Sequence, residues 1–127
     1  MAAVSRLPFV PLQTTLEVPG RRTGKFTATA VVPVTLDGER YLVSMLGDRS
    51  EWVRNVRAAG GAAVLHHGAR VRVRLELLPV DERAPVIKRF VRRAIGGRPH
   101  IPVRPDAPVG EFAMVAARYP VFRIVPA

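Results

Sequence analysis

The chain is 127 residues long, 48% hydrophobic and 24% charged, with no cysteine and a formal net charge of +10. That length suits one domain with a proper core, and the composition is globular rather than disordered. Disulfides and thiolate metal sites are excluded, and no apolar run approaches the length of a membrane span.

Eighteen of the twenty cationic residues are arginine. A field of this sign draws in anionic small molecules, anionic lipid surfaces or nucleic acid. Nucleic acid fits least: the arginines are spread along the chain, aromatics are 6%, and no helix-turn-helix, RNP or zinc pattern occurs. The first eleven residues hold one arginine and two prolines, without the long apolar region of a secretory signal. A cytoplasmic protein is the expectation, with peripheral membrane contact open.

Residues 12–18 read as a first strand, after a Pro-broken arm at residues 1–11. The turn Gly20-Arg21-Arg22-Thr23-Gly24-Lys25 follows, then a long strand over 26–36 in which Pro33 marks an edge or a bulge. Asp37-Gly38 is a two-residue hairpin signal, returning as a strand over 40–45. A loop over 46–50 leads to a helix over 51–59, with Ser50 or Asp48 as cap, Trp52, Val53 and Val56 on one side, and Gly60-Gly61 as its end.

A second hairpin joins 62–66 to 69–78 around His67-Gly68. In its return strand Val71, Val73, Leu75 and Leu77 alternate with Arg70, Arg72, Arg74 and Glu76, the pattern of a sheet buried on one face. The arginine row faces an anionic partner or water. Asp81 is the expected cap of a second helix over 82–95, with Val86, Ile87, Phe90, Val91 and Ala94 inward and Lys88, Arg89, Arg92 and Arg93 outward. Gly96-Gly97 stops it. Residues 98–108 hold four prolines and read as an ordered loop or lid. Residues 110–117 suit a short helix or a strand, and 121–125 a closing strand. Hairpin spacing of five or six strands favours closure into a small barrel, which removes exposed edges.

Side-chain catalysis finds little support. His66 and His67 flank a turn, His100 lies in the Pro-rich loop, and no metal-ligand cluster, H-E-x-x-H, G-x-S-x-G or close carboxylate pair occurs. The turn at Gly20–Lys25 is the richer feature. Two glycines, three cations and a hydroxyl form either a solvated hairpin connection or an anion-binding concavity. Its spacing is not that of a Walker loop. The start of the Trp52 helix also favours an anion. Trp52 itself walls a ring or belongs to the core, and Asn55 bonds the loop backbone or is merely exposed. Poor catalytic side chains beside an anion cradle suit a cofactor that brings its own reactivity.

Gly20-Arg21-Arg22-Thr23-Gly24-Lys25, the strand over 29–34, Tyr41-Leu42-Val43-Ser44 and Trp52-x-x-Asn55 together resemble the deazaflavin-dependent nitroreductase family, split β-barrel oxidoreductases that use coenzyme F420. The resemblance is most specific over residues 20–64. It implies a mainly β (α+β) fold, a split barrel of about six antiparallel strands with two or three helices, spanning residues 1–127 as a single domain. It further implies a cofactor groove of Arg21, Arg22, Thr23, Lys25, Ser44, Met45, Leu46, Gly47, Trp52 and Asn55, and no metal. The implied reaction is hydride transfer from reduced coenzyme F420 to a small quinone-, enone- or nitro-type acceptor. His100, by its place in the Pro-rich loop and not by the resemblance, is either the candidate catalytic proton donor or a structural or surface residue. The chain departs from its relatives at Thr27, where a basic residue is common, and at Leu46-Gly47-Asp48, where a lysine precedes two glycines. The alternatives are an FMN-binding oxidoreductase on the same barrel and a non-catalytic carrier of the deazaflavin or another anionic ligand. Monomer and homodimer both remain open.

Overall fold

The computed structural model describes residues 14–94 and 99–127. The N-terminal arm, the first two residues of the first strand, the end of the second helix at Ile95, the Gly96-Gly97 stop and Arg98 lie outside the described residues.

Seven strands are described: β1 (Thr14–Pro19), β2 (Phe26–Val31), β3 (Val34–Leu36), β4 (Glu39–Val43), β5 (Ala62–His67), β6 (Ala69–Leu77) and β7 (Val121–Pro126). Three helices accompany them: α1 (Glu51–Ala58), α2 (Ala84–Arg93) and α3 (Val109–Ala113). The segment over 110–117 therefore resolves into the short helix α3 and a single 3-10 turn at Ala116–Arg118.

The strands form one sheet in the order β2-β1-β5-β6-β7-β4-β3, all pairs antiparallel. β2 and β3 are its opposite edges, yet only Val32 and Pro33 separate them in the chain. Three Cα steps span about 10 Å at most. The sheet must therefore curl until its edges meet there, which is the split barrel. The single long strand expected over 26–36 is two strands, because Pro33 has no N–H for a ladder and the chain passes from one edge to the other.

Two apolar clusters lie on the two sides of this curl. Inside, Leu16, Val18, Leu42, Ala63, Leu65, Val73, Leu75, Phe122 and Ile124 close on Val53 and Val56 of α1. Outside, Val34, Val43 and Val121 pack against Ile87, Phe90 and Val91 of α2, with Phe112 of α3 and Ile101. Fully burying one such side chain contributes roughly 1.5–3 kcal/mol. The inward stripe of α2 is the expected one, all five residues buried. Asp81 does not cap it: Asp81 lies in a 3-10 turn at Val80–Glu82, and Arg83 holds the N-cap position without a side-chain cap bond.

The alternating strand β6 needs a correction. Val73 and Leu75 are buried, but Val71 is 53% exposed and Leu77 42%. β6 is the longest strand, nine residues; Val73 and Leu75 in its middle join the cluster that Val53 and Val56 of α1 also enter, and Val71 and Leu77 lie outside that cluster. The arginine row also finds partners: Arg70 pairs with Glu17 on β1, and Arg74 with Glu76, which Arg123 of β7 also binds. Arg72 makes no ion pair among the described residues and lines an outer groove of about 510 Å³ with Pro19, Phe26 and Val64. Asp37-Gly38 is the hairpin turn its sequence predicts, both residues at positive φ (52° and 79°).

Candidate functional site

The strand registers decide which connections share an end of the barrel. Pro19 opposite Phe26 closes the β1–β2 ladder at the Arg-rich turn. Glu17 opposite Val64 and Ala62 opposite Arg74 carry that end across β5 to β6. Leu77 opposite Phe122, then Val43 opposite Val121, carry it on to β7 and β4. The turn at 20–25, the loop at 44–50, the 78–83 connection and the 116–120 segment therefore emerge at one end. α1 begins there as well.

Within the turn, Gly20 N–H donates to the Lys25 carbonyl at 2.7 Å, and Gly24 N–H to the Gly20 carbonyl at 2.8 Å. Thr23 Oγ1 accepts from Lys25 N–H at 3.2 Å. Asn55 fastens this turn to α1. It is 4% exposed, and its Oδ1 accepts from Arg21 N–H at 3.1 Å and from Arg21 Nη1 at 2.8 Å. Its Nδ2 donates to Thr27 Oγ1 at 3.4 Å. Asn55 is thus buried rather than exposed, and the backbone it bonds is that of the 20–25 turn, not that of the 44–50 loop.

Arg21 is spent on the protein itself, since its Nη1 also donates to Glu51 Oε1 at 2.9 Å. That hydrogen bond, with the Arg21 charge, holds the Glu51 carboxyl below the ordinary carboxylate range. Arg22 and Lys25 are different. Both are exposed, and neither side chain has a hydrogen bond or ion pair among the described residues. The turn is thus a rigid frame carrying two uncommitted cations.

The loop over 44–47 is sorted by burial. Ser44 is 1% exposed; its Oγ donates to the Gly47 carbonyl at 2.8 Å, and its N–H to the Pro120 carbonyl at 2.9 Å. Met45 packs into the cluster beneath α2. Leu46 is exposed. Gly47 has φ +81°, and a Cβ there would stand 3.1 Å from the Arg118 carbonyl. The left-handed backbone and the close approach both favour glycine at this point. Ser50 occupies the N-cap position of α1 but makes no side-chain cap bond.

Trp52 is half-buried and packs on Phe122, ring centroids 5.5 Å apart. Its ring lies against the core cluster as a half-buried residue. The His100 side chain is exposed, while its carbonyl accepts from Tyr119 Oη at 2.8 Å. Tyr119 adjoins Pro120, so the His100 backbone is linked to the 44–47 loop through the Tyr119 hydroxyl and the Ser44–Pro120 backbone bond. Two residues had no signal in the sequence pattern. Glu51 reads only as an acid in a first helical turn, and Arg83 as one more arginine, although it is buried. Among the described residues no helix is long and apolar enough to cross a membrane.

Comparison with curated protein sequences finds no match. Among solved structures, the chain is similar to one described as an F420 reductase, at 15% identity and TM-score 0.58, over 100% of this chain and 95% of that one. It is similar to an F420-H2 dependent reductase at 18% identity and TM-score 0.56, over 89% and 93%. A third, described as a domain-swapped dimer, matches at 17% identity and TM-score 0.62, over 89% and 79%. At these identities the structures speak for the fold. Residues 2–101 match the family described as F420H(2)-dependent quinone reductase. The chain belongs to that family and is a coenzyme F420-dependent oxidoreductase acting on a small-molecule acceptor.

Proposed function

We propose that the acidic portion of coenzyme F420 is held by Arg22 and Lys25, and that its ring lies between the 44–47 loop and the start of α1. The observation carrying this is the pair of uncommitted cations on a turn that Asn55 and Arg21 hold in place. Protein-bound arginines would add little; free ones offer charge-assisted hydrogen bonds to phosphate and carboxylate oxygens. Thr23 shapes the turn, and Ser44 and Gly47 shape the loop, so their part is to place backbone rather than to touch the ligand with side chains. Trp52 and Asn55 act from beneath. When bound, the deazaflavin supplies the hydride; the protein binds, orients and excludes water. His100 is the proposed proton donor to the reduced acceptor.

The acceptor we infer is a quinone, with enones and nitro compounds as chemical relatives. The protein works in the cytoplasm as one domain, alone or as a homodimer. Its basic surface, including the outer face of α2, supports peripheral contact with anionic membranes where lipid-soluble quinones reside.

The direct test is the double variant Arg22→Ala/Lys25→Ala, titrated with coenzyme F420 by fluorescence. Binding should weaken by roughly 2–4 kcal/mol, from ~1.5–3 for each charged hydrogen bond less some compensation. Unchanged affinity would remove the turn from the site. A parallel titration with FMN tests the flavin alternative, and tight binding of reduced coenzyme F420 that no quinone or nitroaromatic acceptor oxidises would favour the carrier.

A further inference from the structure

The buried cation Arg83 lies under this same end of the barrel. It is 6% exposed, between the Val80–Glu82 turn and α2. Nε donates to the Leu78 carbonyl at 3.0 Å and Nη1 to the Ala116 carbonyl at 3.2 Å. Both acceptors are neutral backbone. No carboxylate is within ion-pair distance of it among the described residues. Burial pulls its pKa down, Asp48 acts the other way, and Arg57, which pairs with Asp48 at 2.9 Å, reinforces the lowering. A guanidinium keeps its proton in such a place, so a charge is held out of water without a counterion beside it. Desolvating a charge is costly, and here the return is backbone geometry at two points.

Those two points bear on the 44–47 loop. Leu78 N–H donates to the Val121 carbonyl at 2.8 Å, which anchors the first point to the barrel. Ala116 opens the turn Ala116–Arg118, whose Arg118 carbonyl stands against Gly47. Pro120, two residues on, accepts the Ser44 N–H. The segment over 116–120 is thus a wall touching the loop at two places, and the Arg83 fork ties that wall to the barrel.

We propose that Arg83 is the positioning residue of the cofactor loop: by clamping the Leu78 and Ala116 carbonyls it sets the wall on which Ser44 and Gly47 rest. The cofactor half of this statement rests on the site reading above. Lysine would replace it only in part, because one ammonium on a flexible stem keeps the charge but lacks the planar fork that spans both carbonyls.

Trp52, the sole tryptophan, follows the loop directly in the first turn of α1 and reports on it without any ligand. The experiment compares full-length wild type, Arg83→Met, Arg83→Lys and Gly47→Ala by acrylamide quenching of Trp52 and by titration with coenzyme F420. Gly47→Ala disturbs the same contact from the loop side and keeps the test alive if Arg83→Met does not fold. Arg83→Met should raise quenching and weaken cofactor binding about tenfold, the size of one lost charge-assisted hydrogen bond. Gly47→Ala should give the same pair of changes, and Arg83→Lys a weaker form of both. Wild-type quenching and affinity in the Arg83 variants, with only a lower Tm, would overturn the proposal. Raised quenching with unchanged affinity would overturn its cofactor half by taking the loop out of the site.

Discussion

Asn55 shows how one amide can organise a charged turn. Helical spacing sets it on the buried side of α1, where an unpartnered amide would cost about 1–3 kcal/mol. Arg21 N–H and guanidinium supply its partners, and Glu51 holds the guanidinium from the other side. The Glu51 carboxyl binds its proton less readily folded than unfolded. Its contribution is therefore complete above the ordinary value of 4.5 and is lost as pH falls through the lower folded value. Since the pair is exposed, the expected effect is small in size but definite in sign. The Tm advantage of wild type over Glu51→Gln should shrink on acidification from pH 5.5 to 3, followed by circular dichroism; a constant gap would deny the linkage. His100 is tested separately. His100→Ala should leave coenzyme F420 affinity unchanged and lower turnover with quinones by ~10²-fold, the usual worth of a genuine general acid. Normal turnover would take the imidazole out of the reaction.

Among the elements, β6 best separates pattern from environment. Its alternation is real: Val73 and Leu75 enter the barrel while Arg72 and Arg74 stay wet. Alternation names a face, but the extent of burial depends on what covers that face. The middle of β6 joins the apolar cluster that α1 enters, and Val71 near the hairpin tip stays open. Val73→Asp should therefore abolish the cooperative melt, whereas Val71→Asp and Arg72→Asp should keep it, because only the first buries an unpaired charge. A comparable loss in Val71→Asp would mean that the outer end of β6 is covered after all. Helix α2 makes the complementary point. Its apolar stripe was legible from spacing alone, yet its start was not, because a residue able to cap did so nowhere: Asp81 entered a 3-10 turn first.

At the scale of the whole molecule, curling is forced by connectivity. A two-residue link between opposite sheet edges leaves the sheet no flat alternative. Curling also gathers four connections at one end of a chain whose formal net charge is +10. Part of the attraction for an acidic cofactor is then long-range and screened by salt, since the Debye length falls from about 10 Å at 0.1 M to about 3 Å at 1 M. Raising the salt concentration should weaken coenzyme F420 binding in wild type, and less so in Arg22→Ala/Lys25→Ala. An affinity indifferent to salt would mean that packing of the ring, rather than charge, dominates.

The sequence by itself determined the parts that depend on neighbours in the chain. These are the hairpins at Asp37-Gly38 and His67-Gly68, the inward stripes of α1 and α2, and the membership of the family. Local steric preference and side-chain periodicity are enough for each. The tertiary structure alone decided which cations are free and which are consumed. Arg21, Arg22 and Lys25 are alike in sequence, but only Arg21 meets a buried amide and a carboxylate thirty or more positions away. It also decided that Arg83 is buried and that Val71 is not. Such outcomes depend on strand order and on which strand residues share a cluster with α1, and both are set by contacts between distant segments that no local pattern encodes.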